Sequence, residues 1–190
     1  MFLFRLIKPT VLTGFLVTTS FFISSCQLID NQNGNFVVDE IIDGDTYKIN
    51  GHTYRLLGAD TAETYDNKNN FQPTTGAQYF YGSWAKNRAT QLIKNQKVQV
   101  DTIKQDKYKR SIARISIDNQ DLSTLLISEG LAVIRYISTI KNDPFYYSDQ
   151  AYVENLWNAQ KLAKHQNKGI WQESKTRLES IFPGYKFKWK

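Results

Sequence analysis

The chain has few of the residues that form crosslinks and transition-metal sites. Its 190 residues include one cysteine and two histidines. A single cysteine excludes a disulfide framework and a multi-cysteine zinc site, and two histidines leave little for a histidine-based metal site. The apolar run over residues 11–23 is shorter than the roughly 20 residues that a membrane-spanning helix needs.

The composition favours one folded domain with appendages. A hydrophobic content of 41% and an aromatic content of 14% are enough for a packed core, which argues against a wholly disordered chain. The 24 Lys and Arg residues against 18 Asp and Glu residues make a formal net charge of +6. This charge favours a polyanion as partner, either nucleic acid or anionic lipid. A basic surface that serves only solubility is the alternative that charge alone leaves open.

The first residues have the pattern of a bacterial export signal. Arg5 and Lys8 stand without an acidic residue before the apolar run of residues 11–23, whose length suits the hydrophobic region of a signal peptide. This run closes on two serines directly before Cys26, which resembles a bacterial lipobox.

These features predict how the protein is located. We expect a signal peptide over residues 1–25, acylation of Cys26, and a flexible tether over residues 26–35. The protein is then exported and lipid-anchored to the cell membrane on its extracellular face. An uncleaved membrane anchor, in which Cys26 has no role, is the alternative.

Alternation and helical spacing predict the fold class. Short alternating segments bounded by turn residues predict five strands, over residues 36–42, 45–50, 53–59, 97–103 and 111–117. Apolar residues at helical spacing predict three helices, over residues 76–95 and 121–129 and from residue 148 or 149 to just before Gly169. Five strands with a helix between the third and the fourth predict an α+β fold, a five-stranded β-barrel of the OB type with three α-helices.

The C-terminal residues 172–190 are predicted to be a basic aromatic tail. Residues 184–190 alternate aromatic and lysine side chains. Such a segment can stack on nucleobases or lie on an anionic bilayer. An added edge strand, with its aromatic face packed on the domain and its lysines in water, is the alternative that we favour slightly.

Three polar clusters fall at the ends of predicted strands, over residues 42–46, 55–63 and 106–110. Taken singly, each is explained more simply by a turn, a cap or a solvated loop. Together they collect carboxylates and arginines at the ends of adjacent strands, which indicates a functional site.

The carboxylates of these clusters suit a hard cation. Asp45 and Asp60 supply oxygen ligands without histidine or cysteine, which favours Ca²⁺ or Mg²⁺ over zinc. The backbone carbonyl of Thr61 is a further candidate ligand. Glu63, three residues beyond Asp60, can position or deprotonate a water molecule.

The arginines of these clusters suit a phosphate. Arg55 and Arg110 carry planar guanidinium groups that bind phosphate oxygens bidentately. A cation and two guanidinium groups that face a carboxylate-bound water are suited to in-line attack on a phosphodiester.

The three clusters in this order, followed by Gly-Ile-Trp at residues 169–171, resemble the staphylococcal nuclease (thermonuclease) family over residues 36–171. The resemblance implies an OB-fold barrel with three helices. It also implies Ca²⁺-dependent cleavage of DNA and RNA that breaks the bond on the 5′-oxygen side and leaves 3′-phosphate products.

The resemblance also implies roles for individual residues. It makes Asp45 and Asp60 the calcium carboxylates, with the carbonyl of Thr61 as a third ligand. Asp43 is then an outer carboxylate that reaches the metal through water, and Glu63 positions the attacking water.

The resemblance likewise assigns the residues that bind the substrate. Arg55 and Arg110 correspond to the phosphate clamps, and Lys107, Tyr108 and Tyr136 correspond to positions that line the nucleotide pocket. From its strand context alone, Tyr136 is equally well explained as a core aromatic residue.

This sequence departs from the family pattern at three positions. Ala62 replaces a usual proline before Glu63, and Lys109 replaces a usual glycine before Arg110. If that position needs a positive φ, lysine costs roughly 1 kcal/mol of local strain. Ser138 replaces a second tyrosine, and residues 138–147 are a candidate replacement for that wall of the pocket.

Two other functions compete with a nuclease. A non-catalytic nucleic-acid-binding OB-fold lipoprotein would use a basic groove and aromatic platforms without any chemistry. A structural lipoprotein would leave all three clusters unexplained. The carboxylate set favours the enzyme, because a protein that only binds gains nothing from carboxylates near a phosphate.

Overall fold

The computed structural model describes residues 33–66 and 72–187. The predicted signal peptide, Cys26 and residues 26–32 of the predicted tether lie outside the described residues, as do residues 188–190. Within the described ranges, no helix is both long enough and apolar enough to cross a membrane.

The described chain contains short strands and four α-helices. The strands are β1 (Gly34–Ile41), β2 (Thr46–Ile49), β3 (His52–Leu56), β4 (Ala59–Thr61), β5 (Tyr65–Asp66), β6 (Gln72–Pro73), β7 (Lys97–Gln105), β8 (Ser111–Ile117), β9 (Gln120–Asp121) and β10 (Ala132–Ile134). The helices are α1 (Gly76–Ile93), α2 (Leu122–Ser128), α3 (Gln150–His165) and α4 (Lys175–Ile181), with a 3-10 helix (Gly169–Gln172) between the last two.

Five of these strands close into a barrel. Strands β3, β2, β1, β7 and β8 follow one another as antiparallel neighbours, and β3 then pairs with β8 in parallel. The closing pairs include Tyr54 with Ser111 and Leu56 with Ala113. The arrangement confirms the predicted α+β fold with a five-stranded barrel of the OB type.

The barrel follows from alternation and tight turns in the sequence. In β7, Val98, Val100 and Thr102 point inward and are buried, while the residues between them are at least partly exposed. The turn between β2 and β3 uses Asn50 and Gly51, both with positive φ, as a two-residue hairpin requires.

The predicted third strand is broken where the site begins. Residues 53–59 do not form one strand, because the chain turns at Leu57 and Gly58, and Gly58 has φ +78°. Strand β3 stays in the barrel, whereas β4 pairs with β10 outside it. This turn lets Arg55 and Asp60, which belong to different sheets, face each other.

The helices cover the barrel with their apolar stripes. Helix α1 buries Ala85, Ala89 and Ile93 at helical spacing, and the central cluster joins them to barrel residues and to α2. Asp121 caps α2 and Asp149 caps α3, each accepting a hydrogen bond from a backbone N–H three residues on.

A fourth helix lies within the segment that was predicted to be a tail. The three predicted helices are present, but α4 was not predicted. Ser174 caps it, and Leu178, Ile181 and Phe182 bury their side chains in a second apolar cluster with Trp171. The spacing of these apolar residues is helical. It covers only two turns of a basic, aromatic segment, which is too short to predict a helix from the sequence. The bounds 36–171 of the nuclease domain stay a prediction.

The described end of the chain packs without forming a strand. Residues 184–187 have no strand pairing, so the predicted edge strand is wrong for them. The aromatic packing in that prediction is present, because Phe187 contacts Trp171 at 5.9 Å and Phe182 at 6.3 Å between ring centroids. Tyr185 joins the same cluster.

Gly130, which follows α2, should not tolerate a side chain. It has φ +70°, and an added Cβ would lie 2.1 Å from the carbonyl oxygen of Lys168. We expect Gly130→Ala to lower the free energy of unfolding by roughly 3 kcal/mol and Tm by roughly 6–12 °C.

Gly51 provides the matched control for this prediction. It also has a positive φ, of +76°, but an added Cβ would meet no described atom within 4 Å. Gly51→Ala should therefore cost only about 1 kcal/mol of backbone strain. Equal losses in the two variants, measured by urea unfolding, would contradict the packing at Gly130.

Candidate active site

A cleft beside the barrel collects residues from all three polar clusters. Its volume is about 470 Å³. Its lining residues come from the turn before β2 and the start of β2, from β3, from the segment that runs from the end of β4 into β5, and from the loop before β8: Ile42, Asp43, Thr46, Thr53, Arg55, Glu63, Thr64, Tyr65 and Arg110. The predicted proximity of the three clusters is therefore present in the structure.

The turn over residues 43–45 is held in place by its glycine. Gly44 lies so close to Ala85 and Thr61 that an added Cβ would be 2.7 Å from the Cβ of Ala85 and 2.8 Å from the hydroxyl of Thr61. The backbone N–H of Gly44 also donates a hydrogen bond to Asp43 at 2.9 Å. Only glycine fits here, so this position fixes where the two flanking aspartates point.

A buried ion triad lies behind the cleft. Arg55 donates to Asp45, with Nη1 and Oδ1 3.0 Å apart, and its other terminal nitrogen contacts Asp60. The exposed fractions of Asp45, Asp60 and Arg55 are 2%, 5% and 8%. Burial lowers the pKa of Arg55, but the two carboxylates outweigh burial and raise it above its ordinary value. The arginine is therefore charged whenever the protein is folded.

Asp45 is also bonded to its neighbours in the chain and across the site. Its Oδ2 accepts a hydrogen bond from the backbone N–H of Thr61 at 2.9 Å, and its Oδ1 accepts one from the hydroxyl of Thr46 at 2.8 Å. Thr61 therefore lies at the site through its backbone N–H, whereas the predicted role of its carbonyl as a metal ligand stays a prediction. Together with the contact to Arg55, these bonds orient the Asp45 carboxylate.

A third arginine at this site, the second to pair with Asp60, was not predicted from the sequence. Arg135 follows β10, and its Nη1 lies 3.0 Å from Oδ2 of Asp60. The pairing of β10 with β4, in which Val133 lies opposite Asp60, brings it there. Arg135 directly precedes Tyr136, which was a candidate site residue, and this position could have indicated it. The sequence does not show that β10 pairs with β4.

Glu63 and Asp43 form a pair of carboxyl groups that resist ionisation. Burial and then the charge of Asp45 raise the pKa of Asp43 to about 6. Burial, Asp45 and Asp43 raise the pKa of Glu63 to about 8, and the two side chains share a hydrogen bond. Both groups therefore keep their protons to higher pH than an exposed carboxyl group does, and Glu63 does so up to about pH 8.

The donor set fits a hard divalent cation in its chemistry. Its side-chain donors are carboxylate oxygens, and a cation bound beside Asp43 and Glu63 would favour their ionised forms, which burial and the charge of Asp45 oppose. In the ranges that the structure describes, however, no three acidic, histidine or cysteine side chains are grouped to hold a metal ion. Asp45 and Asp60 point to guanidinium groups instead.

Arg110 reaches the cleft through a loop that Asp106 organises. Asp106 accepts hydrogen bonds from the backbone N–H groups of Tyr108 and Arg110 and from Nε of Arg110, all at 2.8–2.9 Å. Lys109 has φ +64°, so the position usually held by glycine does need a positive φ, and lysine adopts it at a cost in strain.

Lys107 and Tyr108 lie at the exposed tip of this loop, not among the residues that line the cleft. The Tyr108 ring is 67% exposed, with Nζ of Lys107 5.0 Å and Cζ of Arg110 5.4 Å from its centroid. The structure thus brings Arg110 to the cleft and places the other two at its edge, where they are accessible to a long substrate.

Tyr136 lies at the surface beside the two arginines of the triad region. It is 43% exposed with φ +59°, so the alternative that it is a core residue is wrong. Its ring centroid is 5.7 Å from Cζ of Arg55 and 4.8 Å from Cζ of Arg135. An exposed aromatic face next to cationic groups is suited to stacking a base beside its phosphate.

Phe145 extends the aromatic surface where the second tyrosine of the family is missing. Two backbone hydrogen bonds fold residues 138–147 back on themselves, from Ser138 N–H to Phe145 O and from Tyr147 N–H to Ser138 O. The Phe145 ring then lies 5.2 Å from that of Tyr136. The sequence suggested such a replacement in this segment but did not identify the residue.

The fold and this site define an OB-barrel protein whose cleft combines buried carboxylates with guanidinium groups. A family model described as "Staphylococcal nuclease homologue" matches residues 53–173. The chain belongs to the staphylococcal nuclease family.

Several named relatives are similar to this chain. "Endonuclease YncB" of Bacillus subtilis is 31% identical over 147 residues, which are 74% of this chain and 63% of the relative. "SPbeta prophage-derived endonuclease YokF" of the same organism is 30% identical over 72% of this chain and 44% of the relative. "Thermonuclease" of Staphylococcus hyicus is 29% identical over 77% of this chain and 81% of the relative. The match thus covers less than two thirds of the two Bacillus proteins.

The raised pKa of Glu63 predicts how stability depends on pH. The folded chain holds the proton of Glu63 up to about pH 8, whereas the unfolded chain loses it near 4.5. Metal-free stability therefore falls as pH rises through this window. We expect Glu63→Gln to stabilise the metal-free protein at pH 8 by roughly 1 kcal/mol or more, raising Tm by about 2–4 °C, with a smaller gain at pH 5.

Thermal unfolding in a chelator at both pH values measures this effect. Glu154→Gln is the matched control, because Glu154 is exposed on α3 and its substitution should change Tm equally little at pH 5 and pH 8. A Glu63→Gln variant that is less stable than the wild type at pH 8 would contradict the strained carboxyl pair.

Proposed function

We propose that this protein is a calcium-dependent nuclease that hydrolyses phosphodiester bonds of DNA and RNA and leaves 3′-phosphate products. The observation that carries the proposal is the buried triad of Asp45, Arg55 and Asp60, whose arginine lines the same cleft as Glu63 and Arg110. Membership of the staphylococcal nuclease family and the similarity to proteins named endonuclease and thermonuclease support a nuclease.

The arginines supply the phosphate-binding part of this function. Arg110 lines the cleft from the loop before β8, and Arg55 lines it from β3. Arg55 has five N–H donors, so its two carboxylate contacts leave others for a phosphate oxygen. Two guanidinium groups on one phosphate hold it in place and stabilise the charge that develops on its oxygens during attack.

Glu63 supplies the proton-transfer part. It lines the cleft, and its pKa of about 8 is close to neutral pH. A carboxyl group whose pKa is close to the pH of the solution can both accept a proton from a water molecule and donate one at a low cost in free energy. We assign to Glu63 the positioning of the attacking water. Asp43, which shares a hydrogen bond with Glu63, fixes its orientation.

Asp45, Asp60 and the carbonyl of Thr61 are the residues that would hold the calcium ion, with Asp43 in its outer shell. The ion, when bound, neutralises charge on the phosphoryl oxygens. Lys107, Tyr108 and Tyr136 provide cationic and aromatic surface at the edge of the cleft for the rest of a nucleotide. Phe145 adds to this surface.

The protein acts outside the cell in this proposal. A signal peptide over residues 1–25 directs export, and a lipid on Cys26 anchors the protein on the extracellular face of the membrane. The tether that follows Cys26 then lets the barrel reach nucleic acid at the surface. The basic net charge favours such a substrate.

One observation favours a second candidate, a non-catalytic nucleic-acid-binding OB-fold lipoprotein. Asp45 and Asp60 are already paired with arginines, so the described carboxylates do not converge on one point. A protein in which these pairs are permanent would bind a strand through its arginines and Tyr136 without cleaving it. Cleavage assays separate the two candidates.

Cleavage of a labelled single-stranded DNA tests the proposed reaction. Calcium should support loss of the full-length substrate with 3′-phosphate ends, and a chelator should stop it. Glu63→Gln should lower the rate by roughly 10²–10⁴-fold, because proton transfer is lost. Asp45→Ala should abolish most of the activity, and calcium should no longer stimulate what remains. Glu154→Gln, on the exposed side of α3, should leave the rate unchanged.

Tight binding of the DNA without cleavage in calcium, magnesium and manganese would reject the enzyme in favour of the non-catalytic candidate. Wild-type rates in both site variants would reject the assigned residues.

Metabolic labelling with a fatty-acid analogue tests the anchor. The wild-type chain should carry the label and fractionate with membranes, whereas Cys26→Ser should lose the label because the acylated thiol is gone. Immunoblotting of membrane and soluble fractions measures both. An unlabelled wild type that stays in the membrane fraction would identify an uncleaved anchor instead.

A further inference from the structure

Arg135 occupies the side of Asp60 that faces away from Arg55. Arg55 contacts Oδ1 of Asp60, and Arg135 contacts Oδ2 at 3.0 Å. The Asp60 side chain is 7% exposed, whereas that of Arg135 is 27% exposed. Each oxygen of this carboxylate therefore already has a cationic partner, and one of those partners is close to solvent.

The fold holds Arg135 at this place from several directions. Its backbone N–H donates to the carbonyl of Gly58 at 3.1 Å, so it stays opposite the turn that leads to Asp60. Its guanidinium carbon lies 4.8 Å from the centroid of the Tyr136 ring. These contacts position the guanidinium group, and about a quarter of the Arg135 side chain stays exposed to solvent.

We propose that Arg135 is a built-in cation that competes with the divalent cation for Asp60. The inference rests on the proposed function, in which Asp60 is a calcium ligand. Without metal, the guanidinium group neutralises Oδ2 of Asp60; binding of the metal displaces it. Arg135 is thus a positioning residue that sets the calcium concentration at which the site is loaded.

The argument is electrostatic. A divalent cation at Asp60 would approach the Arg135 guanidinium within a few ångströms in a largely buried site, where like charges repel strongly. By thermodynamic linkage, whatever stabilises the metal-free pair of Asp60 and Arg135 weakens metal binding by the same factor. Arg55 does not neutralise Oδ2 of Asp60, because it contacts the other oxygen of that carboxylate and also pairs with Asp45.

Charge-removing and charge-conserving variants of Arg135 separate competition from simple support of the fold. Arg135→Gln removes the charge and keeps a polar side chain, whereas Arg135→Lys keeps the charge. Arg88→Gln is the matched control, since the Arg88 side chain is 33% exposed, close to the 27% of Arg135, pairs with Glu129 and lies outside the residues that line the cleft.

Isothermal titration of the full-length chain in detergent with calcium chloride gives the affinity directly, without an activity assay. We expect Arg135→Gln to bind calcium at least about tenfold more tightly than the wild type, because a nearby positive charge is removed. Arg135→Lys and Arg88→Gln should stay within about threefold of the wild type, because the charge at the site is unchanged.

Thermal unfolding provides the second readout. Arg135→Gln should have a lower Tm than the wild type in a chelator, because it leaves Asp60 with one partner fewer, and calcium should raise its Tm by more than it raises that of the wild type. A folded Arg135→Gln protein with unchanged or weaker calcium affinity would overturn the inference while leaving the proposed nuclease intact. Absence of calcium binding in the wild type and all variants would overturn the calcium site itself.

Discussion

The site depends on one buried guanidinium group. Arg55 lies between Asp45 and Asp60, and all three side chains are almost completely removed from solvent. Two buried carboxylates without a cation would be strongly unfavourable, so the arginine makes it possible to keep them together inside the protein. Strand β3 of the barrel carries Arg55, and β4 carries Asp60. The turn at Gly58 between these strands lets the two side chains meet.

The triad also determines the properties of its neighbours. The charge of Asp45 adds to burial in raising the pKa values of Asp43 and Glu63, to about 6 and about 8. A divalent cation bound there would favour the ionised forms of these carboxyl groups, and the raised pKa of Glu63 suits it to proton transfer near neutral pH. Stability of the metal-free protein and its proposed reactivity are therefore linked. Burial and the charge of Asp45 lower the stability of the metal-free protein at high pH, and the same two causes give Glu63 its raised pKa.

Much of the barrel and of the candidate site could be predicted from the sequence, because the patterns that indicate them lie within short segments of the chain. Alternation and turn residues predicted the barrel strands, and the three clusters at strand ends predicted which carboxylates and arginines meet. The misses have physical reasons. Helix α4 is only two turns long, and its stability comes from packing Leu178 and Ile181 on Trp171 rather than from propensity. Arg135 and Phe145 reach the site through strand pairing and a folded loop, which single residues do not encode.

The amino-acid sequence by itself determined the type of chemistry: oxygen ligands instead of sulfur or imidazole, guanidinium groups for phosphate, and a basic chain suited to a polyanion. These depend on side-chain identity and on spacing within one turn or strand. Tertiary structure decided how those groups are shared. It paired Asp60 with two arginines, placed Lys107 and Tyr108 at the rim rather than in the cleft, and exposed Tyr136. Such outcomes depend on distances between residues far apart in the chain, and only the closed barrel and the pairing of β4 with β10 set those distances.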